Sequence, residues 1–283
     1  MQALFLVTLL MLFTSQAIHM KHLILLFFVF LGFSGCSTVP LTGRSQLAMM
    51  SSQEIQPLVN EEYQKALKAS PLLTATKEGQ AVVKVGNKMA LAVEKYLNDQ
   101  GYGDLVKELS WEFNLLESNQ VNAWCMPGGK VAFYTGILPI TQTETGIAVV
   151  MGHEIAHAVA SHANERMSTG LLLNFGFSAL STAVGQNPTL TQSIFLQSVG
   201  IGTELKMLKF SRKHELEADR MGLIFMAMAG YDPQEAPIFW ERMAAGAGQA
   251  PPEFLSTHPG PDRRVERLKA RMPEALVYYE QAK

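Results

Sequence analysis

Apolar positions recur every three or four residues between residues 51 and 70, where Ile55, Leu58, Val59, Tyr63, Ala66 and Leu67 fall on one face. That period predicts an amphipathic helix, and Ser51 with Glu54 three residues on has the form of a capping box at its start. A second helical run covers residues 76–98 and should stop near Gly101. Past it the period changes to two. Trp111-Glu112-Phe113-Asn114-Leu115 alternates, and Val121-Asn122-Ala123-Trp124 and Val131-Ala132-Phe133-Tyr134 flank a Pro127-Gly128-Gly129 turn, so a small antiparallel sheet is expected. The apolar run 147–159 predicts a buried helix, and Thr141-Gln142-Thr143-Glu144 reads as its capping box, which places its start near residue 142. Farther on, residues 171–180 and 194–208 read as an apolar helical hairpin broken at Gly185-Gln186-Asn187-Pro188; each arm is too short to span a bilayer. Gly230 closes a later helix, with Tyr231 expected as a left-handed or turn residue, and Asp232-Pro233-Gln234-Glu235 starts the next. The pattern predicts an α+β chain, mainly helical, with its sheet ahead of the most apolar helix.

That helix carries His153-Glu154-Ile155-Ala156-His157. Residues four apart on a helix lie one above the other, about 5–6 Å apart at Cβ, so two imidazoles can grip one metal ion at about 2 Å. Glu154, one position on, points to the neighbouring sector and can reach a water in the site without ligating the metal, which is the general-base place in an H-E-x-x-H arrangement. A catalytic zinc takes three protein ligands as a rule, so a third is sought on another helix. The candidate is the segment 211–219, where Glu215 and Asp219 are four apart and share a face. Glu215 fits as the ligand and Asp219 as the acceptor for a ligand histidine's other N–H. Glu217 faces elsewhere. The alternative for this segment is an ordinary solvated helix whose Arg212, Lys213, Glu215, Glu217 and Arg220 make weak surface pairs.

Together the two segments resemble the zinc metallopeptidases of family forty-eight, the HtpX, Oma and CAAX prenyl protease type, whose H-E-x-x-H is followed by an acidic segment matched here by Glu215 and Ala218-Asp219. The resemblance extends to Asn122-Ala123, Pro127-Gly128-Gly129, Phe133-Tyr134-Thr135-Gly136, His258-Pro259 and Arg264, and covers roughly residues 50–275. Within the family the chain looks most like periplasmic lipoprotein peptidases of the LoiP and BepA kind. The resemblance implies a gluzincin-type peptidase domain, one Zn2+ per chain held by His153, His157 and Glu215, and Glu154 and Asp219 as catalytic residues. It also implies that residues 122–133 hold an extended substrate strand, although the same residues serve equally as core strands. His258 either approaches the metal, filling its open position or bonding the oxyanion, or is a surface residue beside a turn. Arg264 either orients the His258 loop or steadies the intermediate. His162 and His214 are expected to face solvent.

The N-terminus suggests an address. Met20-Lys21-His22, an apolar run over 23–33 and Ser34-Gly35-Cys36 have the parts of a secretory signal, with Cys36 where bacterial lipoproteins carry their acylated residue and Met20 as the expected start. A long uncleaved anchor is the alternative. Residues 1–35 are thus expected to be an export segment, 36–50 a lipidated tether and 51–283 the catalytic domain, on the periplasmic face of an outer membrane and attached through Cys36. Acylation would leave Cys125 as the one thiol, with no internal disulfide. A net charge of −2 with both signs interspersed leaves no basic face for nucleic acid. The expected partners are therefore polypeptides, specifically misfolded or mis-assembled envelope proteins. The competing expectation is a chaperone-like lipoprotein that holds polypeptides and cleaves them rarely.

Overall fold

The computed structural model describes residues 36–175, 188–199, 211–245, 254, 258 and 264–283. The export segment expected over 1–35 lies outside them, as do parts of the apolar hairpin expected over 171–208. The chain opens with a hairpin of β1 (Cys36–Thr38) and β2 (Ser45–Leu47). Three helices follow, α1 (Ser52–Ala69), α2 (Lys77–Asp99) and α3 (Gly103–Glu108). A sheet of β3 (Glu112–Leu116), β4 (Ala123–Met126) and β5 (Lys130–Tyr134) leads into the short α4 (Leu138–Thr141). The remaining helices are α5 (Glu144–Val159), α6 (His162–Phe175), α7 (Pro188–Ser198), α8 (Arg212–Met228), α9 (Glu235–Ala245) and α10 (Arg264–Gln281). The molecule is a mainly helical α+β fold. None of the described helices is long and apolar enough to cross a membrane.

The sheet stands ahead of α5 as its alternation predicts, but it is mixed rather than wholly antiparallel. The Pro127-Gly128-Gly129 turn, with both glycines at positive φ, joins β4 to β5 as an antiparallel hairpin. β3 lies on the far side of β5, paired in parallel, so the order is β3-β5-β4 and β4 is the outer strand next to α5. Both faces are covered. Phe113, Leu115, Ala123, Cys125, Val131 and Phe133 pack toward α2 and α5, and the intervening Leu116, Trp124, Met126 and Ala132 pack toward α1, α6 and α7.

α5 is buried on nearly every side, as its unbroken apolar run requires. Its N-cap is Thr143, whose hydroxyl accepts from the Gly146 amide at 3.0 Å. The start is thus later than the Thr141 box predicts, because Thr141 instead ends α4, donating to the Leu138 carbonyl, and Gln142 at φ +60° breaks the chain between the helices. At the other end of the catalytic region it is Gly230, at φ +73°, that supplies the left-handed turn, not Tyr231.

The helices α5 and α8 cross at two glycines. A Cβ on Gly222 would lie 2.7 Å from the His153 amide nitrogen and 2.8 Å from the Gly152 carbonyl carbon. Without side chains at that point the backbones approach closely, and the approach brings His153 and His157 within reach of Glu215. Gly222→Ala should therefore cost about 1–3 kcal/mol of stability and weaken metal retention. Thermal melts of the stripped protein and a metal titration would test this; wild-type behaviour in both would reject the contact as a determinant of the site.

Candidate metal centre

His153, His157, Glu215 and His258 each direct one ligand atom to a common point, all within 4.8 Å of one another and all buried. His153 Nε2 is 3.1 Å from His157 Nε2 and 3.2 Å from His258 Nδ1, and His258 Nδ1 is 3.1 Å from Glu215 Oε1. His153 Nε2 to Glu215 Oε2 and His157 Nε2 to Glu215 Oε1 are both 3.5 Å. Four atoms about 2 Å from the centre of a tetrahedron stand about 3.3 Å apart, so the spacing suits a small cation.

The partners behind the ligands decide which nitrogens face inward. His153 Nδ1 lies 3.0 Å from Asp219 Oδ1, so a proton belongs on Nδ1 and the Nε2 lone pair points to the centre. His157 Nδ1 meets His162 Nδ1 at 2.8 Å, and His162 Nε2 meets Glu217 Oε2 at 3.0 Å. A proton on His162 Nε2 satisfies Glu217; the bare His162 Nδ1 then accepts from His157, which again leaves the His157 Nε2 lone pair facing inward. Two such lone pairs 3.1 Å apart repel unless a cation separates them, which is the chemistry of a metal site. Burial lowers the His153 pKa, but hydrogen bonds to Asp219 and Glu215 outweigh it and take it up to about 9.

The acidic residues of α8 are the ones it buries. Glu215, Glu217 and Asp219 are at most 9% exposed, whereas Arg212 and Lys213 are exposed, so the solvated-helix alternative does not hold. Arg264 is the reason this is tolerable. Its Nη2 donates to Glu215 Oε2 at 2.6 Å and its Nε to Asp219 Oδ2 at 2.8 Å, while its guanidinium stacks over Trp240 at 4.0 Å. Burial raises the Glu215 pKa, but the nearby histidines, His258 foremost, hold it well below the usual carboxylate range. Arg264 thus clamps the carboxylates, a different place from either expected one, because α10 brings it against α8.

Glu154 lies on α5 beside the cluster, 3% exposed, with Oε1 3.5 Å from His258 Nε2. Among the described residues that oxygen has no hydrogen-bond partner. Burial raises its carboxyl's affinity for a proton, opposed by the electrostatic influence of the neighbouring His258 and His153. A cleft lined by Ile55, Gln56, Cys125, Gly128, Glu154 and His157 leads to this point.

His258 is buried rather than on the surface, its ring stacked on Phe254. His162 and His214 are buried as well, against expectation, with their rings stacked 4.3 Å apart and His214 Nε2 2.9 Å from Glu165 Oε2. Ser161 accounts for this burial: at φ +54° it ends α5 and starts α6, turning His162 back toward His157. A histidine five places after the motif, across a helix break, is the only sequence signal for it. The 36–50 tether is likewise a packed hairpin, because Leu41 and Gly43 at positive φ turn it and Val39 joins the core.

A model of peptidase family M48 matches residues 93–272. The "Mitochondrial metalloendopeptidase OMA1" of Schizosaccharomyces pombe is 36% identical over 174 residues, 61% of this chain and 50% of that protein. The Saccharomyces cerevisiae protein of the same name is 30% identical over 267 residues, 88% of this chain and 75% of its own. The "Beta-barrel assembly-enhancing protease" of Escherichia coli is 30% identical over 171 residues, 57% and 34% respectively. The chain thus spans half or less of several relatives it matches. Relatives named as mitochondrial, matched over as much as 89% of this chain, overturn the expected periplasmic outer-membrane address. That expectation rests on the signal-like segment 20–36, which lies ahead of the residues 93–272 matched by the family model, and on the resemblance to periplasmic peptidases.

Proposed function

The chain belongs to peptidase family M48, and on that premise we propose that it is a zinc-dependent endopeptidase acting on extended polypeptides. The observation that carries this is the convergence of ligand atoms from His153, His157 and Glu215 beside buried Glu154, whose Oε1 has no hydrogen-bond partner among the described residues. His153, His157 and Glu215 hold the ion, one per chain; two imidazoles and a carboxylate are a catalytic zinc set. When bound, the metal supplies Lewis acidity to a carbonyl and to water. Glu154 takes the proton of the attacking water and returns it to the departing amine. Asp219 fixes the His153 tautomer, and Arg264 holds Asp219 and Glu215 in register. His258 would offer a fourth donor, since its ring nitrogen converges with the other three.

The outer strand β4 fits as the substrate platform, since it packs against α5 and its Cys125 lines the same cleft as Glu154, so that a peptide added along its edge would pass the base. Residues 51–283 serve as the catalytic domain. The finer reading, that the substrates are misfolded or mis-assembled envelope proteins, takes its support from the relative whose name is that of a protease enhancing beta-barrel assembly. A polypeptide holder with rare hydrolysis draws on a single observation, His258 within the ligand cluster. The two differ in one assay. Denatured casein should be cleaved, a chelator should abolish cleavage, and zinc should restore it. Cleavage indifferent to chelation would reject the metal's role, and binding without cleavage by the zinc-loaded protein would favour the holder.

A further inference from the structure

Arg44 sits at the end of the turn in the β1–β2 hairpin, and its guanidinium grips acidic side chains from two helices. Nε lies 2.6 Å from Glu217 Oε2 of α8 and Nη1 lies 2.8 Å from Glu165 Oε2 of α6, with Nη2 donating to Gln46 at 3.1 Å. The Thr42 hydroxyl donates to the same Glu217. Arg44 is 12% exposed at its side chain and Glu217 6%, so solvent screens the pair weakly. Glu217 in turn anchors His162, and His162 fixes His157. An unbroken line of contacts therefore runs from a hairpin ahead of the catalytic helices to a metal ligand.

On the zinc reading above, we propose that the hairpin 36–47 is part of the metal centre's support: Arg44 and Glu217 act as positioning residues that hold His162, and through it set the tautomer and angle of the His157 imidazole. Without Arg44, buried Glu217 loses its cation and must turn toward water. His162 then lacks a fixed acceptor, and His157 Nε2 no longer presents its lone pair by default. Partners one shell behind a ligand typically change metal affinity about 10–100-fold. A brace that only stabilised the fold would change melting and leave the ligand field of the bound metal untouched.

The full chain is tested as wild type, Arg44→Gln, Arg44→Lys, Glu217→Gln, His162→Gln and the double variant Arg44→Gln/His162→Gln. Zinc affinity is read by competition with a chromophoric chelator, and the visible spectrum of the Co2+-loaded protein reports ligand geometry. Arg44→Gln and Glu217→Gln should bind zinc about tenfold more weakly and shift the cobalt bands. Arg44→Lys, keeping the charge without the fork, should recover part of the loss. The double variant should be no weaker than His162→Gln, because both changes cut one line. Folded variants with wild-type affinity and spectrum, or losses that multiply in the double variant, would overturn the proposal. Should Arg44→Gln fail to fold, the near-isosteric Glu217→Gln and the charge-retaining Arg44→Lys decide it alone. A wild-type chain that takes up no zinc would instead reject the peptidase reading itself.

Discussion

Glu154→Gln should keep its zinc and lose cleavage of denatured casein by about a hundred- to ten-thousandfold, the range a positioned general base contributes. The substitution keeps volume and one acceptor oxygen but removes the basic carboxylate. Glu154 is not among the converging ligand atoms, so metal content should be unaffected. Its position explains why the effect is large: burial raises its proton affinity, and Oε1 is left without a partner among the described residues. Metal analysis beside a fragment gel separates the possibilities. Near-wild-type cleavage would remove Glu154 from the chemistry, and loss of metal would make it a ligand.

Arg264→Met should destabilise the metal-free protein by roughly 3–5 kcal/mol, because removing one member of a buried ion cluster leaves charge uncompensated. Glu215 and Asp219 are 3% and 9% exposed and receive Arg264's two donors. The apolar replacement fills much of the space over Trp240 and isolates the loss of charge. Zinc should rescue part of this loss, since a cation at the cluster neutralises Glu215 from its other side. Melting curves with and without zinc should therefore diverge more for the variant than for wild type. Equal melting of variant and wild-type proteins in the metal-free state would show that the clamp is dispensable.

These effects differ in how far the sequence announces them. The burial of His153, Glu154 and His157 is legible because an unbroken apolar run around the motif marks a buried helix. The positions of Glu215 and Asp219 follow from helical spacing, but their burial does not: a charged stretch reads as solvated unless its partners are known, and here these come from α5, α10 and the N-terminal hairpin. Arg264 lies 45 residues from Asp219 along the chain, and only the packing of α10 on α8 gives it a role. The burial of His162 is not legible because a single left-handed residue, Ser161, breaks the helical register from which its side would be read. The parallel pairing of β3 was hidden for a related reason. Alternation marks a strand, yet the path of the connection between strands decides its neighbour and direction.

Zinc-edge X-ray absorption of the purified full chain reads the ligand shell itself. One zinc per chain with four nitrogen or oxygen neighbours at about 2.0–2.1 Å, including the multiple scattering of at least two imidazoles, is the outcome expected from His153, His157, Glu215 and a fourth donor. A shell without imidazole, or one that persists unchanged in Glu215→Ala, would show that α5 and α8 do not build the centre together.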